Sequence, residues 1–65
     1  MRVNGKPLET NPERLLDLLA SQGIAPDTKG IAVAVNGSVV PRSTWAETSL
    51  ANEDEIEIVK IMQGG

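Results

Sequence analysis

The sequence ends in KIMQGG (residues 60–65), so its last two residues are glycines. A terminal glycine presents a main-chain carboxylate with no side chain beside it, and such a group can enter a narrow site in another protein. In extended form the segment from Met62 to Gly65 spans about 13–14 Å, at about 3.3–3.6 Å per residue. Two interpretations are open: a frayed terminus, where glycine is common, or a carboxylate that another enzyme modifies.

The side chains that most often carry chemistry are missing, because the sequence contains no His and no Cys. His is the commonest general base, and Cys is a strong nucleophile. The same two residue types supply the usual nitrogen and sulfur ligands of zinc. We therefore expect neither a self-sufficient enzyme nor a bound metal or cofactor, and we favour a carrying, binding or scaffolding role.

Length and charge narrow the class of protein further. The 65 residues suffice for a single domain. The net charge of −3 argues against nucleic-acid binding, which usually requires a basic patch. No apolar run approaches the length that spans a membrane, and the start of the chain lacks the apolar core of a signal peptide. We therefore expect a cytoplasmic protein with no nucleic-acid or membrane partner.

Two Asn-Gly pairs predict the hairpins that organise a sheet, since this dipeptide is the strongest short hairpin signal. Asn4-Gly5 predicts a turn between strands at about 1–4 and 6–10. Asn36-Gly37 follows an alternating segment at 31–35, in which larger apolar residues should face a core and alanines the opposite side. The chain therefore predicts two antiparallel hairpins.

Between the hairpins, residues at about 12–22 have the apolar spacing of a helix. Asn11 is suited to be its N-cap, and Pro12 fits the first helical position. Gly23 is suited to the residue just after the helix, with Ile24 making the hydrophobic contact that often follows. The helix should cover one face of the sheet, which predicts an α+β two-layer domain.

The last strand, EIEIVKI (55–61), changes phase along its length. Ile56 and Ile58 share one face under a strict period of two, whereas Val59 and Ile61 share the other. A bulge would restore a single apolar face. Without a bulge, the strand is apolar on both faces near its end.

At this point the sequence resembles the thiamine-biosynthesis sulfur carrier proteins, the ThiS family. The resemblance covers the whole chain and is closest from about residue 31 onward. Two terminal glycines alone are weak evidence for this family. They become strong evidence when they end an acidic chain of this size and follow the family's central motif. The residues that carry the resemblance are VNG (3–5), VNGSVVPRS (35–43), WAET (45–48), Leu50, IEIV (56–59) and Gly64-Gly65.

The resemblance implies the ubiquitin-like β-grasp fold. We expect a mixed sheet of four to five strands with one main helix packed on one face. The last strand should lie in the middle of the sheet, beside and parallel to the first. Residues 1–61 would form the domain, and residues 62–65 a flexible functional tail.

The resemblance also implies a reaction at Gly65. An adenylating (E1-like) enzyme would activate its carboxylate with ATP, and a cysteine desulfurase or another persulfide donor would supply sulfur. The resulting thiocarboxylate would deliver sulfur to thiazole synthase. Met62, Gln63 and Gly64 would thread the chain end into these active sites, and the protein itself would act as a co-substrate without a bound cofactor.

Docking should use the sheet face opposite the helix, where Ala32, Ala34, Val59 and Ile61 are predicted. Exposed apolar area of this kind often marks an interface. Ordinary packing within a small sheet is the alternative. Arg42 is a further candidate for partner contact, and pairing with acidic residues is its alternative role.

Three other functions remain open from the residues alone. The first is a sulfur carrier for molybdopterin or for a thiolated tRNA base, which shares the fold and the Gly-Gly end. The second is a ubiquitin-like modifier that becomes attached to lysines, since the activation step is the same. The third is a structural β-grasp module whose terminal glycines are incidental.

Overall fold

The structure, a computed structural model, describes residues 1–61. Five strands, one α-helix and one 3-10 helix follow each other along this part of the chain. In chain order these are β1 (Arg2–Val3), β2 (Lys6–Pro7), α1 (Leu15–Ser21), β3 (Ile31–Val35), β4 (Ser38–Val39), the 3-10 helix (Arg42–Glu47) and β5 (Glu55–Lys60).

The five strands form one mixed sheet in the order β2-β1-β5-β3-β4. β5 is parallel to β1 and antiparallel to β3, whereas both hairpins are antiparallel. The last strand therefore lies in the centre, beside and parallel to the first. This confirms the β-grasp arrangement that the resemblance implied.

The register between β3 and β5 runs continuously, with Val33 opposite Ile58 and Ala32 opposite Val59. The bulge considered for this strand is therefore not formed. Ile58 shares a face with buried Val33, and Val59 points to the opposite side. β5 is thus apolar on both faces near its end, as the second alternative predicted.

The start of the helix was predicted wrongly. Asn11 and Pro12 do not begin it: α1 starts at Leu15, after an extended Arg14 that makes no side-chain cap. The reason is a tertiary contact, because the Leu15 N–H donates to the carbonyl of Thr48 over 3.0 Å. A helix leaves its first N–H groups without partners, and here a distant segment supplies one.

The end of the helix was predicted correctly. Gly23 has φ of +77°, and its N–H donates to the Ala20 carbonyl over 3.0 Å. The Ile24 N–H donates to the Leu19 carbonyl over 2.8 Å, and Ile24 packs against the core. These bonds form a Schellman motif, which satisfies the last carbonyls of the helix.

β1 and β2 are shorter than the predicted ranges 1–4 and 6–10. Their register pairs Arg2 with Pro7, which places Leu8 opposite Met1. The Leu8 N–H still donates to the Met1 carbonyl over 3.0 Å. β2 itself ends at Pro7, and residues 9–10 are not part of the sheet.

The core lies between α1 and one face of the sheet. Leu15, Leu18 and Leu19 are completely buried, and they pack with Val33 and Ile56 of the two central strands. Trp45 of the 3-10 helix closes one side, with 3% of its surface exposed. Its buried Nε1–H donates to the Val40 carbonyl over 2.9 Å, so the indole has the polar partner that burial demands.

Candidate functional site

The predictions for Met62, Gln63, Gly64 and Gly65 fall outside the described residues. The structure does describe the strand that leads toward them. β5 ends at Lys60, and the Ile61 N–H then donates to the Gly30 carbonyl over 2.6 Å. This bond is the last described attachment of the chain to the sheet.

Gly30 permits this attachment for two reasons. Its φ of +74° lies in the left-handed region, and a Cβ at this position would stand 3.2 Å from the Ile61 carbonyl oxygen. Only glycine meets both conditions without strain. Sequence reasoning missed Gly30, although a glycine directly before an alternating strand is a visible signal.

Of the predicted docking residues, Ala32, Ala34 and Val59 lie together on the sheet face opposite α1, and Ile61 follows directly after β5. Val59 pairs with Ala32, and Ala34 pairs with Val39 of the edge strand. Val59 is 53% exposed and Ile61 54%. We call these five residues (Ala32, Ala34, Val39, Val59 and Ile61) the outer apolar strip.

Val39 was missing from the predicted set, although it is 74% exposed. Asn36 and Gly37 both have positive φ, so the two-residue turn fixes Val39 opposite Ala34. The sequence therefore contained the signal, since the predicted turn already determines this register.

On the same sheet face, the part near β1 carries charged residues. Glu57 lies opposite Ala34, and Glu55 lies beside Arg2 of β1. The outer apolar strip therefore runs from β4 across β3 to the end of β5, with ionisable side chains along its β1 side. Such a border favours partners with a complementary arrangement of charge.

Arg42 is occupied by the fold itself. Its guanidinium donates to the carbonyls of Pro26, over 2.8 Å, and Thr28. It also stacks over Trp45, 4.3 Å from the ring centroid, where cation–π attraction adds to the hydrogen bonds. Arg42 thus holds the loop before β3 against the 3-10 helix, and its contact with a partner stays a prediction.

A cavity of about 560 Å³ lies at the end of β5. Arg42 and Ile61, two predicted partner residues that are distant in sequence, both line it. The remaining lining residues are Lys29, Gly30 and Ile31. The cavity adjoins the outer apolar strip through Ile61, so the end of the strand separates an apolar surface from a basic recess.

Two asparagines attach β5 to its neighbours through their side chains. On the β3 side, Asn36 Oδ1 accepts the Glu55 N–H over 2.9 Å, and its Nδ2 donates to Asp54 Oδ1 over 2.9 Å. Asp54 Oδ2 in turn accepts the Ala51 N–H over 2.8 Å. The pKa of Asp54 is lowered because the Ala51 N–H and the Asn36 amide both stabilise its carboxylate.

On the β1 side, Asn4 plays the corresponding role farther along the strand. Its Oδ1 accepts the Ile58 N–H over 2.8 Å, and its Nδ2 lies 3.3 Å from the Ile58 carbonyl oxygen. Sequence reasoning used both asparagines only as turn formers. Their second role was not visible, because it depends on which strand lies beside each turn.

Among residues 1–61, no group of His, Cys, Asp or Glu is arranged to hold a metal ion. In the same range, no helix is long and apolar enough to cross a membrane. The cytoplasmic location stays a prediction.

Comparison with known proteins relates this geometry to a family. The model of the ThiS family matches residues 1–65. The crystal structure of a thiamine biosynthesis protein (ThiS) from Geobacter metallireducens is similar, with 28% identity, a TM-score of 0.76, and coverage of 98% of this chain and 96% of that chain. An NMR structure of a thiamine biosynthesis protein from the same organism has 28% identity and a TM-score of 0.74, with coverage of 98% and 85%. No curated protein matches the chain significantly in sequence.

Proposed function

The chain belongs to the ThiS family, and from this premise we propose that it is a sulfur carrier protein of thiamine biosynthesis. The observation that carries the proposal is a family match over residues 1–65, which includes the two glycines at 64 and 65. The similarity to a thiamine biosynthesis protein at a TM-score of 0.76 supports it independently. In this role the protein is a substrate of other enzymes and not itself a catalyst.

The proposed chemistry takes place at the carboxylate of Gly65. A free carboxylate is a poor electrophile, so an adenylating enzyme first transfers AMP from ATP to it and releases pyrophosphate. The outer sulfur of a persulfide, such as one on a cysteine desulfurase, then displaces AMP and forms an acyl disulfide with the donor. A thiol attacks the donor's sulfur in this disulfide, which leaves a thiocarboxylate on Gly65 and a new disulfide between the thiol and the donor. The thiocarboxylate donates its sulfur to thiazole synthase.

We further propose that the adenylating enzyme docks on the outer apolar strip. Val59 and Ile61 are about half exposed, and only residues 62–64 separate Ile61 from Gly65. An enzyme bound to the strip would therefore hold its active site within about 13–14 Å of the end of the sheet, at about 3.3–3.6 Å per residue. Met62, Gln63 and Gly64 would cross this distance, and Arg42 would lie at the rim of the contact.

The experiment incubates the full-length protein with ATP and the adenylating enzyme of its host, and measures intact mass. An AMP–protein species should appear, and addition of the persulfide donor with a thiol reductant should convert it to a protein with one oxygen replaced by sulfur. A chain without Gly65 is the matched control and should give neither species. If the wild-type chain forms no AMP–protein species, the proposal is refuted.

A second measurement identifies the acceptor. The thiocarboxylate form is supplied separately to thiazole synthase, molybdopterin synthase and a tRNA-thiolating enzyme, and loss of sulfur is followed by mass. Loss only with thiazole synthase is expected. Stable attachment of the chain to lysines of other proteins would instead identify a modifier.

A further inference from the structure

The main-chain groups of β5 alternate between its two neighbours. The main-chain groups of Glu55 and Ile61 point toward β3. The Glu55 carbonyl accepts the Asn36 N–H, and the Ile61 N–H donates to the Gly30 carbonyl. Ile56 faces β1, because its carbonyl accepts the Asn4 N–H over 2.8 Å. By this alternation Ile58 and Lys60 also direct their N–H and C=O groups toward the β1 side.

The pairing of β1 with β5 ends at Val3 and Ile56, because the chain turns away at Asn4, whose φ is +53°. The next position, Ile58, would then have no strand beside it. The amide side chain of Asn4 takes that place, since it offers one acceptor and one donor to the Ile58 main chain. Asn4 thus substitutes for one residue of a strand.

Beyond Asn4 the edge of β5 is open. Within residues 1–61, no hydrogen bond reaches the main chain of Lys60 on this side, and its side chain is exposed. An unpaired strand edge is a template for pairing with an extended segment of another protein. Only Ile61 separates this position from residues 62–65, which the proposed function sends into the active site of a partner.

We propose that the adenylating enzyme adds an extended segment of its own to this edge, with hydrogen bonds to the main chain of Lys60. The inference rests on the proposed function and specifies how that partner holds the strand. An added strand would continue the β1 side of the sheet past Asn4. It would fix the direction in which the chain leaves Ile61, whereas the outer apolar strip supplies the contact area.

The experiment compares Lys60→Pro with Lys60→Ala in calorimetric titrations against the adenylating enzyme. Proline removes the N–H that faces the open edge and leaves the bonds between β5 and β3 intact. Alanine removes the side chain and keeps the N–H. We expect Lys60→Pro to bind about fivefold more weakly than Lys60→Ala, which corresponds to one net hydrogen bond.

Hydrogen exchange provides a second, direct measurement on the wild-type chain. The Lys60 amide should exchange rapidly in the free protein and become protected in the complex. The Ile58 and Ile61 amides should be protected in both states, because Asn4 and Gly30 already bind them. If proline lowers the melting temperature, an ester in place of the Lys60 amide, introduced by chemical synthesis, makes the same comparison without the ring.

The outcomes separate the two proposals. Equal binding by the two variants, or an unprotected Lys60 amide in a complex that forms normally, would overturn the inference alone. If the wild-type chain does not bind the adenylating enzyme at all, the inference and the proposed function are both wrong.

Discussion

The side chain of Asn4 offers the sharpest test of how β5 is held. Its Oδ1 accepts the Ile58 N–H over 2.8 Å, near the ideal distance, whereas the 3.3 Å separation on the Nδ2 side is long for a hydrogen bond. Asn4→Gly removes both contacts, and glycine accepts the φ of +53° that this turn requires. Asn4→Asp keeps the short contact but replaces the Nδ2 donor with a second acceptor oxygen, which faces the Ile58 carbonyl oxygen.

The expected cost follows from these contacts. One net hydrogen bond contributes about 1 kcal/mol. The greater freedom of glycine in the unfolded chain is offset by the strain that it relieves at a positive φ. Asn4→Gly should therefore lower the free energy of unfolding by about 1 kcal/mol. For a domain of this size, that lowers the melting temperature by about 4–8 °C.

Urea denaturation at pH 7 measures both variants, with hydrogen exchange at Ile58 as the local readout. At this pH the aspartate is ionised and remains an acceptor. Asn4→Asp should keep the Ile58 amide protected, because its carboxylate still accepts that N–H, whereas Asn4→Gly should lose that protection. Wild-type stability in the glycine variant, or an equally exposed Ile58 amide in the two variants, would refute the role of Asn4 as a strand substitute.

Three further predictions concern separate parts of the molecule. Gly30→Ala should lower the stability more than Gly23→Ala does, as measured by thermal unfolding. Both sites have positive φ, which costs about 1–2 kcal/mol for alanine. Only at Gly30 would the Cβ also approach a carbonyl oxygen, that of Ile61, at 3.2 Å. In the folded protein the pKa of Asp54 lies below its ordinary value of 3.8. The stability that its carboxylate contributes is therefore fully present above pH 3.8 and is lost as the pH falls through the folded pKa. Asp54→Asn should therefore flatten the acid side of a stability–pH profile. Val59→Asp should weaken binding to the adenylating enzyme by tenfold or more, about 1.4 kcal/mol, with little change in melting temperature because the side chain is exposed.

Each of these predictions has a clear contrary result. Equal destabilisation by the two glycine variants would show that the contact at Gly30 relaxes freely. An unchanged acid profile in Asp54→Asn would show that its two donors do not favour the charged form. Full binding by Val59→Asp, measured beside Glu53→Ala as a surface control, would exclude the outer apolar strip as the docking surface.

The features of the fold that depend on neighbouring residues were predictable from the sequence. The Asn36-Gly37 turn formed as expected, with φ of +52° and +84°, because the dipeptide's own conformational preference decides it. Gly23 ended the helix for the same local reason. The central position of β5 came from family resemblance, although its apolar residues on both faces agree with it.

What could not be predicted depends on residues that are distant in sequence. Leu15 begins the helix because Thr48 accepts its N–H, and no local pattern around Asn11 reveals that partner. Arg42 was expected to meet acids or a partner, yet its described partners are two backbone carbonyls and Trp45. In each case a tertiary contact prevailed over a local preference.

The central position of β5 also has a mechanical consequence. Under the proposed function, a partner that draws residues 62–65 into its active site would pull along the axis of this strand. The hydrogen bonds to β3, and those to β1 on the other side, lie across that axis. They therefore resist the pull together, in shear, and do not open one after another as they would in a peeled edge strand. If the proposed function holds, the end of the chain would be drawn into one enzyme, released and passed to the next while the domain behind it stays folded.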